Sequence, residues 1–136
     1  MHSIYDLFAT DPKAEAEEGL VLEYGSFGRL TIRRAGGANK AFARALESRL
    51  RPYRRQMQAG TLDETVAEKL LAEVYAETVL LGWDGIRDRD GQEIAFTPQA
   101  AARLLTDLPE LFRDVQEQAQ KAANFRAAEL AETAKN

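Results

Sequence analysis

Residues 61–82 read TLDETVAEKLLAEVYAETVLLG, and this stretch decides the fold class. Thr61-Leu-Asp-Glu64 has the order of a capping box, in which a hydroxyl and a carboxylate satisfy the first free N–H groups of a helix. Val66, Leu70, Leu71, Val74, Tyr75, Thr78 and Leu81 then recur at three- and four-residue steps. A stripe that broad belongs to a helix touched from two sides. The spacing predicts a central helix over 61–81, closed by Gly82.

Upstream, Asn39 follows Gly36-Gly37 and is placed to cap a helix over 39–58. Phe42, Leu46, Leu50, Tyr53 and Met57 form its apolar face, with arginines opposite. Pro52 lies inside that period, and its missing N–H and ring clash predict a kink near 48–52 or a split. Before it, residues 20–24 and 29–34 alternate like strands around Gly25-Ser-Phe-Gly28, which predicts a hairpin over 20–34. Ile4, Leu7 and Phe8 give a short amphipathic turn that ends before Asp11-Pro12, read as an anchor on the core or a partner contact. The charged run 13–18 reads as a linker or a frayed helix, so 1–18 stands apart as turn plus acidic linker.

Downstream, Ile86 and Ile94 flank Asp88-Arg-Asp-Gly91, and the Asp-Gly pair predicts a second hairpin within 83–96. Thr97 caps and Pro98 begins a helix over 98–107, with Ala101, Leu104, Leu105 and Leu108 on its inner face. Asp107-Leu-Pro-Glu110 breaks it and opens another over 108–126, carrying Leu111, Phe112, Val115, Ala119 and Ala122. The Ala- and Glu-rich tail, 127–136, is expected to fray. The expected fold is mainly α: a compact helical domain, 19–126, of four to five helices with one or two short β-hairpins.

Composition closes most routes to catalysis. Among 136 residues there is no cysteine, one histidine (His2) and three serines, Ser3, Ser26 and Ser48. Thiolate chemistry and Cys-based zinc are therefore excluded, a His-Asp relay would have only His2 to draw on and is not expected, and no phosphate-cradling glycine motif occurs. Asp88-x-Asp90-Gly91 has calcium-loop character, but the first and twelfth ligand positions fall on Ile86 and Thr97. It reads as a tight turn. Gly25-Ser-Phe-Gly28 has the form of a KH loop without the surrounding elements and reads as a hairpin turn. The expectation is a non-enzyme with neither metal nor cofactor. No apolar run approaches the roughly 18 residues that span a bilayer, so no membrane contact is expected.

The net charge of −4 conceals three blocks. Residues 1–27 hold six acids against Lys13; residues 28–58 hold nine bases against Glu47; residues 59–136 hold 15 acids against eight bases. A basic block of that kind grips nucleic acid, or it packs against acidic parts of its own fold or of a partner protein. The acidic whole-molecule field and the few aromatics in the block weigh against nucleic acid.

Gly82-Trp-Asp-Gly-Ile86, Asp88, Asp90-Gly91, Phe96-Thr-Pro98, Leu104-Leu105, Asp107-Leu-Pro109 and Leu111-Phe112 stand in an order and spacing that resembles the tail assembly chaperones of long-tailed bacteriophages and their prophage relatives. Arg33-Arg34-Ala-Gly-Gly-Ala-Asn39, the arginine-rich segment around Pro52 and Asn124-Phe125-Arg126 extend the resemblance over about 24–126. It implies a protein of the host cytoplasm that binds the tape measure protein, keeps it soluble during tail morphogenesis and is absent from the mature virion. It also implies a homo-oligomer, and a frameshifted longer form that recruits tail tube protein. Codons GCA-AAA-AAY for Ala134-Lys-Asn136 would supply the slippery site. Under that reading the partner-binding candidates are Ile4, Leu7, Phe8, Arg33, Arg34, Arg44, Arg51, Arg55 and Trp83, although Trp83 reads first as core packing. The alternative is a small nucleic-acid-binding regulator using the basic block 29–55.

Overall fold

In the computed structural model, which describes residues 3–127, the broad apolar stripe folds as α4 (Glu64–Thr78) and forms the centre of the molecule. Ahead of it come α1 (Ile4–Phe8), a π-helical turn (Ala14–Glu18), β1 (Leu20–Glu23), β2 (Arg29–Ile32), α2 (Lys40–Leu50) and α3 (Arg54–Ala59). After it come β3 (Leu80–Asp84), α5 (Pro98–Asp107) and α6 (Pro109–Gln120), with 3₁₀ turns at Gly25–Phe27, Arg51–Tyr53 and Ala122–Phe125. The fold is mainly α, with one small antiparallel sheet in the order β1-β2-β3.

α4 packs against α2 on one side and α5 on the other, which is why its apolar stripe is wide. Tyr75, fully buried, meets Phe42 of α2 and Phe112 of α6 edge-on, with ring centroids 5.5 and 5.3 Å apart. Leu22, Leu30 and Ile32 turn one face of the sheet into the same core, where Ala101, Leu105, Val115 and Ala119 meet it.

Several elements differ from the sequence expectation, each for a physical reason. The central helix stops at Thr78 rather than continuing to Leu81. Leu80–Asp84 instead pairs with β2, matching Leu30 to Trp83 and Thr31 to Gly82. A continuous apolar run such as Val79-Leu-Leu81 suits a buried strand as well as a helix, and the open edge of β2 decides between them. Trp83 is thereby drawn into the sheet, and the second hairpin shrinks to a single bridge between Arg87 and Glu93.

The helix expected over 39–58 divides at Pro52 into α2, a 3₁₀ turn and α3. Asn39 stands at the N-cap position without capping; its buried side chain donates to the carbonyls of Arg34 and Thr78, 2.9 Å each. The capping box of Thr61 gives way to Asp63, whose carboxylate accepts from the Thr65 N–H at 2.7 Å, while the Thr61 N–H closes the preceding helix on Gln56 O. The helix expected over 108–126 starts at Pro109 and ends at Gln120, followed by the 3₁₀ turn. Ala122, expected on its inner face, is exposed.

The run 13–18 is neither linker nor frayed helix. Glu15 is buried there and paired with Arg34, a partner that only the folded chain supplies. Residues 9–11 lie beside 125–127 through the Thr10–Arg126 bridge and the bonds from Asp11 N–H to Phe125 O and from Ala127 N–H to Ala9 O. Ala127 is therefore held in place, and the remainder of the tail expected to fray lies outside the described residues.

Candidate partner-binding surfaces

α1 is not an anchor on the core: Ile4, Tyr5, Leu7 and Phe8 are 51–77% exposed. Its capping box, Ser3 with Asp6, holds the turn without any buried residue. Of the basic candidates, Arg34 is engaged with Glu15, and Arg33 is half-buried. Arg51 makes an exposed pair with Glu47 at 3.8 Å, which contributes little. Arg29 lies between Glu23 and Asp84, and Arg49 holds Glu73 and Glu77 of α4. Arg44, Arg54 and Arg55 are exposed and make no ion pair among the described residues. The basic block is thus partly consumed within the fold, and what remains lies along α2 and α3.

Trp83 is occupied structurally. Its indole N–H donates to Ile94 O at 2.7 Å, and its ring meets Phe96 edge-on at 5.0 Å. It ties the 86–94 loop to the sheet. Within that loop the Asp88 carboxylate accepts from the Asp90 and Gln92 N–H groups, 2.9 Å each, so the feature with calcium-loop character is a self-satisfied turn.

The fixed loop forms one wall of a feature that periodicity did not pick out. Gly28 adopts φ +111°, and a Cβ there would come within 2.8 Å of the Asp84 carbonyl oxygen. This close approach sets the β1–β2 turn against the end of β3. Between that turn, the loop and the α5–α6 corner lies a groove of about 550 Å³, lined by Tyr24, Phe27, Ile86, Leu104, Leu108 and Leu111. Phe27, at the tip of the turn, is 82% exposed. A second cleft of about 680 Å³ shares Leu104 and Leu108 and continues past the loop along α5. The only sequence signal was an aromatic between two turn glycines, which local patterning cannot separate from an ordinary turn. Leu108 is left 44% exposed because it serves as the joint between α5 and α6.

Tyr24 forms the groove end nearest α6, where its hydroxyl donates to the Asp114 carboxylate at 2.6 Å. Burial, then that bond and the neighbouring negative charge, push its pKa well above the ordinary 10.0; burial also raises Tyr75. Each raised value means the folded state keeps a proton that the unfolded chain loses. Their contribution is complete below about pH 10 and declines as pH rises above it. Chemical denaturation across the alkaline range should show that decline. Tyr24→Phe should flatten part of it and cost about 1 kcal/mol at neutral pH.

Among the described residues no helix is long and apolar enough to cross a membrane. A family model described as YdaY prophage protein matches residues 37–136, which takes in α2 to α6 and the Trp83 loop. No curated protein and no solved structure matches the chain.

Proposed function

The chain belongs to the YdaY prophage protein family, and on that premise we propose that it is a non-catalytic tail assembly chaperone that holds the tape measure protein in soluble form. The observation that carries the reading is the groove beneath Phe27, an open and largely apolar trough with Arg87, Asp88 and Arg89 along its loop wall. A client rich in amphipathic helices needs such a trough for its apolar face, and the holder needs surface charge to keep the pair dispersed. The order of turn and cap residues from Gly82 to Phe112 supports the same reading by resemblance. A frameshifted form that engages tail tube protein, action in the host cytoplasm and absence from the finished virion follow from that proposal. The competing regulator would need the block 29–55 free for phosphates, whereas Arg34 and Arg49 are committed to acids of the same fold.

The test is co-expression with the tape measure reading frame of the same prophage. The wild-type chain should keep the client in the soluble fraction. Phe27→Ser with Leu108→Asp should weaken binding by about 2 kcal/mol or more, on the order of thirtyfold, because apolar anchors dominate such contacts. The thermal unfolding midpoint of that variant should fall by only a few degrees, since Phe27 is 82% and Leu108 44% exposed. A client that precipitates equally with and without the wild-type chain would refute the proposal.

A further inference from the structure

Two surfaces outside the groove are left uncovered by the rest of the fold and are opposite in charge. The first is α1, a five-residue helix whose four apolar side chains all face water, followed by the exposed acids Glu17 and Glu18. The second is the outer face of α2 and α3. Lys40 and Arg44 on α2, Arg51 in the 3₁₀ turn and Arg55 on α3 are all exposed there. Neither α2 nor α3 contains a buried residue, and Met57 at the end of the face is 46% exposed. The basic face thus ends on one exposed apolar side chain, Met57, which suits an acidic amphipathic segment better than a phosphate backbone.

The chain itself carries such a segment. Residues 1–27 have a net charge of −5 and residues 28–58 one of +8. After the pairs inside the fold are set aside, the exposed Glu17 remains on the first and Arg44, Arg54 and Arg55 on the second. α1 stands exposed in its own copy, so it does not lie on its own basic face. We infer that the N-terminal segment of one copy docks on the α2–α3 face of a second copy, Ile4, Leu7 and Phe8 meeting Met57 while Glu17 and Glu18 meet Arg44 and Arg55. The two patches differ, so the contact is head-to-tail and propagates into a ring or an open chain. Its opposite charges make it sensitive to ionic strength.

Sedimentation velocity on the purified full chain tests this without any client, so its outcome is independent of the groove proposal. Wild type should sediment above its 15.1 kDa monomer and fall toward it as salt is raised. Arg44→Glu with Arg55→Glu, and separately Glu17→Lys with Glu18→Lys, should each weaken self-association on the order of tenfold or more. Mixing the two variants should restore it, because each then offers the charge that the other lacks, and restoration also shows that both are folded. A wild-type chain that stays monomeric at every concentration overturns the inference, as does association that survives either charge reversal. A monomer that instead binds a DNA or RNA oligonucleotide through Arg44 and Arg55 assigns the face to nucleic acid and overturns it too.

Discussion

Replacing Tyr75 by alanine is expected to destabilise the domain by about 3–5 kcal/mol, enough to lower the unfolding midpoint by roughly 10–20 °C. The size follows from its position. Tyr75 is fully buried on α4, and its ring joins α2 through Phe42 and α6 through Phe112. Truncation leaves a cavity where three helices converge, and none can close it without leaving its other contacts. Its hydroxyl accepts from Gln120 Nε2 at 3.2 Å, so Tyr75→Phe removes that bond alone and should cost only about 1 kcal/mol. Single domains are commonly stable by about 5–15 kcal/mol, which places the alanine variant near the threshold for remaining folded. Calorimetry on both variants checks the contrast. Equal losses would mean that the hydroxyl, not the ring, holds the three helices together.

What could be read from the chain alone divides along a physical line. Most breaks made by local chemistry were legible, with the α4 cap shifted from Thr61 to Asp63. Thr97 caps α5 with its hydroxyl 3.0 Å from the Ala100 N–H, Pro109 restarts α6 and Pro52 divides α2 from α3. These depend on residues within one helical turn of each other. Features set by distant partners were not legible. Leu80–Asp84 becomes a strand because β2 presents an open edge, and Glu15 is buried because Arg34 lies nineteen positions away. The groove belongs to the second kind. Phe27 sits in the β1–β2 turn, Ile86 in a loop after β3, and Leu108 between two helices; the close approach at Gly28 sets the first two side by side, and the packing of the fold adds the third. The charge blocks were legible as totals, but which arginines remain free depends on the fold.

The second large effect is expected at Arg34. The Glu15 side chain is 3% exposed; Oε2 pairs with the Arg34 guanidinium, and Oε1 accepts from the Thr10 hydroxyl at 3.2 Å. Gly37 lies directly over this carboxylate, and a Cβ there would collide with it. Arg34→Met removes the cation and leaves a buried carboxylate with a single hydroxyl donor, a change that costs about 3–5 kcal/mol if the site stays closed. The chain has a cheaper response. The π-helical turn at Ala14–Glu18 can swing away and hydrate Glu15, so the measured loss is capped by the cost of local opening. Hydrogen exchange should therefore quicken at residues 14–19, including the Gly19 N–H bonded to Ala14 O, while α4 and α5 stay protected. Adding Glu15→Gln to Arg34→Met should recover most of the loss, because no charge is then stranded. A charge-neutral double variant as unstable as the single one would show that the packing of the Arg34 stem, rather than its charge, holds the segment. The opened segment carries α1 with it, so Arg34→Met should also weaken self-association although Arg34 lies outside the proposed contact. The double variant should regain association together with stability.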